Sequence, residues 1–465
     1  MDVKALNNDK RHESKKYWLI TANPYKWLEA FPYKRPLDLN VGQIKPYEMT
    51  GKNLGNEMQV GDFVLCFESK GTGGNSLPKE EKRPEIGESA LVCLFRVFER
   101  DVVNKRIYFQ KIRDLPNHLA ILQTESILSS GRTTGAHPKS LKKQEFLRLC
   151  ELSGVNLKEF EPMNYSDILG ELLMDEKQIK DLLTLIKEKQ NVILQGAPGV
   201  GKTFVAKRLA YLQMLENGDI TKLEADVGIE MIQFHQNYSY EDFIRGFKPT
   251  EDGRFVLQDG VFYSFCEIAR TDPVHDYFFI IDEINRGNLS KILGEMMMLI
   301  EKNHRGEELK LTYRKSEGEP PFSVPKNVYI LGMMNTADRS LAMIDYALRR
   351  RFSFYPILPA FESDRFEEMF KDVLQNSIFS QLISQIIELN KEIRKDFSLT
   401  EGCCIGHSYF CDCIGVKDEE LKNRLQRIVK YDVLPILEEY WFDDKDQYEK
   451  WREKLYAAVE VELEK

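Results

Sequence analysis

The stretch Gly196–Thr203, GAPGVGKT, satisfies the pattern G-x-x-x-x-G-K-[ST] in full. Its chemistry is phosphate binding. Gly196, Gly199 and Gly201, with Ala197, Pro198 and Val200 between them, let backbone N–H groups close around a polyphosphate. A helix following the loop points its positive end at the anion. Lys202 neutralises the β- and γ-phosphates in such a loop, Thr203 ligates Mg2+, and Phe204 follows on the first turn. Further on, the apolar run YFFII ends in Asp282 and Glu283. An aspartate at a strand tip holds Mg2+ through water, and a neighbouring glutamate polarises the attacking water. A third apolar run, NVYILGMM, ends in Asn335, placed to orient that water or to sense the γ-phosphate. DYALRRRFSF then sets Arg349, Arg350 and Arg351 in a row. Arg350 is the candidate for an arginine finger reaching a neighbour's phosphate, and Arg351 either contacts the γ-phosphate of its own subunit or supports the finger. A finger supplied in trans is worth about 10³–10⁵ in rate and implies a closed ring of subunits.

These residues need a sheet to hold them. DEKQIKDLLTLIKEKQ has helical periodicity and leads into the strand NVILQG; strand-like runs recur at GIEMIQFHQ, YFFIIDE and NVYILGMMN, with helical stretches between. Strands alternating with helices predict a parallel α/β sheet over residues 166–359. EELKLTYRKSEGEPPFSVP reads as a hairpin inserted in that series. After Pro359 the chain is mostly helical, a lid over 360–465. Ahead of the motor, residues 15–155 read as a separate α+β domain, after a tail at 1–14 and before a linker at 156–165. KYWLITA, GDFVLCFES, ALVCLFRVFERDVV and RIYFQKI have strand composition, the last two joined by a turn at Asn104. LKKQEFLRLCELSG is a closing helix stopped by Gly154.

Composition narrows the class. With 42% hydrophobic and 30% charged residues and no apolar stretch of about 18 residues, a cytoplasmic protein that does not enter a membrane is expected. Eight cysteines in 465 residues form no C-x-x-C pair and no disulfide framework; the cluster CCIGHSYFCDC fits no standard zinc spacing. The net charge of −9 is uneven: residues 1–160 carry 26 Lys+Arg against 20 Asp+Glu, a balance of +6, which leaves −15 for the rest. A basic front half on an acidic chain points to nucleic acid.

The loop lysine, the Asp-Glu pair, the asparagine and the arginines, in this order and followed by a helical lid, resemble the AAA+ class. FHQNYSYEDFIRGFKP, IIDEINRGNLSKILGEMMMLIE, MNTADRSLAMIDYALRRRFSF and IGHSYF narrow this, over about 165–465, to the motor domain of the McrB family. Its members are GTP-hydrolysing subunits of modification-dependent restriction systems. The resemblance implies that Asn335 and Asp338 serve GTP hydrolysis, and that Asn285 and Arg286 are the family's Asn and Arg after the acid pair. It also implies hexameric rings that recruit a separate McrC nuclease. GTP rests on this resemblance, since the N-K-x-D element of small GTPases is absent and ATP is the default of the wider class. The alternative is a MoxR-like AAA+ ATPase that remodels a protein or RNA partner.

YWLITANPYKWLEAF, NLGNEMQVGDFVLCFES and ALVCLFRVFERD are similar to the EVE domain of the PUA/YTH-like class, a barrel that takes a flipped-out, modified base into an aromatic pocket. Extruding a base costs a few kcal/mol. Stacking on an aromatic returns about 1–3 kcal/mol. Trp18, Trp27, Tyr47 and Phe67 are the expected walls, Asn23 and Ser69 the polar edge, and Arg132 a contact to the DNA backbone. No convincing nuclease motif is present, so cutting is assigned to another chain.

Overall fold

The computed structural model describes residues 16–22, 44–48, 58–68, 90–101, 106–120, 124, 126–128, 139–249, 253–337, 346–396, 399 and 401–461. They form two units. The first comprises the chain up to Pro162 together with Ile220–Val227; the second comprises Met163–Asp219 and the chain from Gly228 onward.

The first unit is built on β1 (Tyr17–Ala22), β2 (Ile44–Glu48), β3 (Phe63–Glu68), β4 (Ala90–Asp101), β5 (Arg106–Ala120), β6 (Lys139–Leu141) and helix α1 (Lys143–Leu152). The strands form one mixed sheet in the order β2-β5-β4-β3-β1-β6. β1 and β3 run parallel and the other neighbours antiparallel. Leu19, Phe63, Leu65 and Phe67 lie in one core with Phe146 and Leu149 of α1; Trp18, Ile20, Val64 and Cys66 lie in another. The period of two sends alternate residues to opposite faces, and both faces are covered, so the strands read as unbroken apolar runs. β5 continues well past Ile112, the end its composition suggests, through the polar stretch RDLPNHLA; irregular register along β4 accommodates it.

The second unit contains α2 (Tyr165–Gly170), α3 (Glu176–Lys189), β7 (Asn191–Gly196) and α4 (Lys202–Glu216). α5 (Lys222–Val227) follows in the chain but belongs to the first unit: Leu223 and Val227 share the core of Phe146, Leu149 and Val155, and Thr221 bridges Pro162. The chain therefore passes between the units three times, where a single linker at 156–165 was expected. Then come β8 (Ile229–Gln233), α6 (Tyr240–Phe243), β9 (Arg245–Pro249), β10 (Phe255–Asp259), α7 (Val261–Thr271), β11 (Tyr277–Asp282), α8 (Leu289–Leu293), α9 (Met296–Leu299), β12 (Val328–Asn335), α10 (Tyr346–Arg349) and β13 (Ser353–Pro356). Five strands form an all-parallel sheet in the order β13-β7-β12-β11-β8. α3 shows why the local sequence folds as it does. Ile179, Leu182, Leu183 and Ile186 fall on one buried face, Gln178 reaches back to the Asp175 N–H, and Gln190 ends the helix with a left-handed φ of 62°.

The hairpin expected over 307–325 is reduced to one antiparallel bridge, Leu309 with Phe322. The paired hairpin is β9–β10 instead. The lid consists of α11 (Asp364–Met369), α12 (Ser377–Lys395), α13 (Asp418–Arg427), a π-helical turn at Ile428–Val433, α14 (Leu434–Tyr440) and α15 (Lys445–Ala458). Among the described residues no helix is long and apolar enough to cross a membrane.

Candidate active site

Strand register brings the reactive side chains together. Asn335, the last residue of β12, lies opposite Gly196, the last of β7; Asp282 ends β11 on the other side of β12. Three apolar strands thus deliver a glycine loop, a carboxylate and an amide to one carboxyl edge of the sheet, where open α/β sheets bind ligands. Gly199 and Gly201 adopt φ of 77° and 73°, and Gly201 caps α4. Ala197 and Val200 of the same loop are buried.

Lys202 Nζ donates to the carbonyls of Gly196 (3.0 Å) and Ala197 (2.8 Å) and to Asn335 Oδ1 (2.6 Å). Burial pushes its pKa down to about 8, against the pull of Glu283 and Asp282. Thr203 Oγ1 stands 3.4 Å from Asp282 Oδ2. A hydroxyl and a carboxylate converging beside the loop are the oxygen donors a hard divalent cation takes, so the residues present fit Mg2+. Phe204 lies on the exposed side of α4 with the Arg208 guanidinium 3.6 Å from its ring centre.

Glu283 is held from three directions. Its N–H donates to Asp282 Oδ1 (2.9 Å), Asn335 Nδ2 donates to Oε1, and Arg286 Nε donates to Oε2 at 3.0 Å. Its φ is +50°, a left-handed conformation that costs a non-glycine residue of order 1 kcal/mol. Asn285 Nδ2 donates to the Asn335 carbonyl (3.4 Å), while Asn285 Oδ1 is buried without a partner among the described residues. Lys202, Asn335, Glu283 and Arg286 therefore form one connected polar chain. Asp338 lies outside the described residues.

The arginines separate. Arg351 is engaged, with Nε donating to the Met297 carbonyl (2.6 Å) and pairing with Glu301 (2.9 Å). The Arg349 guanidinium lies 5.9 Å from the Phe354 ring centre. Arg350 is exposed and makes no side-chain bond among the described residues.

The lid supplies a contact that motif reading missed. Ser408 N–H donates to the Gly199 carbonyl at 2.8 Å, and the Tyr409 ring packs on Gly199. Gly406 approaches so closely that a Cβ there would lie 2.1 Å from the Gly199 carbonyl carbon. His407 Nδ1 accepts from the Ala360 N–H (3.1 Å), and burial pushes its pKa down to about 4. The imidazole is therefore neutral and carries its proton on Nε2, the nitrogen facing Gly201. In the sequence these residues stood out only as the family stretch IGHSYF, which says nothing of a contact with the phosphate loop. Cys403, Cys404 and Cys413 nearby are buried, and among the described residues no group of three His, Cys, Asp or Glu side chains is arranged for a metal.

Two expected base contacts are corrected. Trp18 is fully buried, its indole N–H donating to Asp62 Oδ2 at 2.8 Å, and Phe67 is fully buried on the opposite face of the sheet. Both rings are core, with no face open to a base. Tyr47 lies on β2. Asn23, Trp27, Ser69 and Arg132 lie outside the described residues.

A parallel sheet carrying the phosphate loop, the Asp-Glu pair and the asparagine on adjacent strand ends, closed by a helical lid, defines an AAA+ P-loop NTPase core. Comparison with known proteins agrees. Residues 191–352 match the family AAA domain (dynein-related subfamily), 381–449 match McrB, alpha-helical lid domain, and 134–221 match IstB-like ATP binding protein. The chain is 49% identical over 295 residues to the type IV methyl-directed restriction enzyme EcoKMcrB subunit of Escherichia coli (strain K12), covering 62% of each chain. It is 26% identical over 229 residues to the type II restriction enzyme BsuMI component YdiS of Bacillus subtilis (strain 168), covering 38% of this chain and 64% of that one. It thus spans less than two thirds of the length of either relative. Among solved structures, C. elegans PCH-2 aligns with a TM-score of 0.28 and 16% identity, over 64% of this chain and 72% of that one.

Proposed function

We propose that this chain is the NTP-driven motor and DNA-recognition subunit of a modification-dependent restriction system, with GTP as its substrate. The observation that carries the reading is the 49% identity over 295 residues to the E. coli McrB subunit, and the connected polar site supports it. Lys202 binds the β- and γ-phosphates, and Thr203 and Asp282 hold Mg2+, which supplies charge neutralisation on the phosphate oxygens. Glu283 accepts the proton of the attacking water, and Asn335 and Arg286 fix the direction of its carboxylate. Asn285 assists at the same edge, and Asp338 serves hydrolysis with Asn335. Arg350 enters the site of the next subunit in a homo-hexameric ring.

Residues 15–155 serve as an EVE-like reader of a modified base, with Trp27 and Tyr47 as stacking candidates, Asn23 and Ser69 as polar contacts and Arg132 on the backbone. A separate McrC-like endonuclease cuts. The test pairs the purified chain with a McrC-like protein and DNA with or without cytosine modification. Tighter binding to the modified duplex and faster GTP turnover with the nuclease support the reading. Equal binding to both duplexes, or turnover indifferent to the nuclease, refutes the corresponding half.

A further inference from the structure

Arg305 is a buried cation that pairs with no carboxylate among the described residues. It is 4% exposed; Nε donates to the Ile300 carbonyl (2.9 Å), one terminal nitrogen donates to Asn191 Oδ1 (2.6 Å), and the other is buried without a partner among the described residues. Stability alone does not explain it, because an apolar side chain of similar volume fills such a place as well or better. What the guanidinium does accomplish is local. By donating to Oδ1 it fixes the Asn191 amide, whose Nδ2 then donates to the Ile300 carbonyl (2.7 Å) and to the Arg351 carbonyl (3.1 Å).

Asn191 is the first residue of β7, the strand whose other end is the phosphate loop. The Arg351 carbonyl lies between α10 and β13, directly after Arg350. The Arg351 side chain is tied to Met297 and Glu301 on the same side. The root of the arginine run is thus fastened to the nucleotide strand, to α9 and to the segment just after it, while the Arg350 side chain stays exposed.

We propose that Asn191 and Arg305 are positioning residues for Arg350, holding the root of the arginine run in register with the phosphate strand so that Arg350 reaches a neighbouring subunit's nucleotide. The inference rests on the reading of Arg350 as a finger in a ring. Asn191→Asp keeps an acceptor for Arg305 but removes both donors, and Arg305→Met removes the buried charge.

The experiment measures GTP turnover, binding of a fluorescent GTP analogue and thermal melting for both variants and for Arg350→Ala. Each is assayed alone and mixed with Glu283→Gln, which keeps its arginines but cannot activate water. The expected result is folded proteins with analogue affinity within about threefold of wild type and turnover reduced at least tenfold. Mixing with Glu283→Gln restores turnover, because the neighbour supplies a correctly held Arg350. Wild-type turnover in both variants overturns the inference, as does a loss that mixing does not restore while Arg350→Ala is restored. If Arg350→Ala itself retains turnover or gains nothing on mixing, the finger reading fails, and this inference with it.

Discussion

Gly406→Ala tests the contact between lid and phosphate loop with one carbon atom. Gly406 has an ordinary backbone (φ −80°, ψ 160°), so no conformational need for glycine exists there. At such a position alanine is normally stabilising by about 0.4–1 kcal/mol, through the unfolded chain. Here the new Cβ would sit 2.1 Å from the Gly199 carbonyl carbon and oxygen and 2.6 Å from the Pro198 carbonyl oxygen, more than an ångström inside ordinary contact. All three atoms are backbone, so nothing can rotate aside. Overpacking of this kind costs about 1–3 kcal/mol. Relief requires the lid strap to retreat, breaking Ser408 N–H to Gly199, or the phosphate loop to move. Nucleotide affinity is expected to fall by about fivefold to, at the upper end of that cost, about 150-fold, read by titration with a fluorescent GTP analogue, with a lowered melting temperature. Gly318→Ala is the control: its Cβ meets nothing within 4 Å, so the melting temperature and affinity should hold. A Gly406→Ala protein with wild-type affinity and melting temperature would refute the close approach of lid and loop.

His407 makes stability pH-dependent. Its folded pKa of about 4 lies below the ordinary 6.5, so its contribution is fully present above pH 6.5 and is lost as pH falls toward 4, by at most about 3 kcal/mol. Denaturant melts of wild type and His407→Gln between pH 7 and 4.5 should converge as the pH falls; parallel curves would show that His407 does not titrate as argued. Asp62 accepts from the Trp18 indole (2.8 Å) and from the Lys16 and Gln59 N–H groups (2.9 Å each). Asp62→Ala should destabilise the first unit by about 2–4 kcal/mol. Hydrogen exchange should show the loss in β1 and β3; unchanged protection there would exclude Asp62 as the pin of Trp18.

The candidate nucleotide site was legible because phosphate and metal chemistry demands particular side chains at the ends of apolar runs. Gly196–Thr203, Asp282, Glu283 and Asn335 could be read before any sheet was assembled, and the sheet register then placed them on one edge. What escaped reading depends on distances rather than types. Nothing in INRG announces that Glu283 takes a left-handed φ, and nothing in IGHSY announces that Gly406 rests on Gly199. Trp18 illustrates the opposite error: an aromatic residue on a strand has the type a base pocket needs, but the strand is covered on both faces and the indole N–H is satisfied by Asp62. ITKLEADV is helical and lies between two core elements, so its pattern cannot reveal that it packs with the first unit. β9 and β10 pair antiparallel, and this was hidden because β9 lies in a stretch read only as a family signature, while Phe255–Asp259 carried no strand reading of its own.

The central claim is that Glu283 activates water for the hydrolysis of GTP in a restriction motor. Its most direct test is phosphate release measured with GTP and with ATP, for wild type and Glu283→Gln. The account predicts GTP turnover that the substitution abolishes while nucleotide binding persists, with little ATP turnover in either protein. Robust ATP turnover with indifference to GTP would contradict the restriction reading and favour a remodelling ATPase; GTP turnover that survives Glu283→Gln would contradict the assignment of the general base.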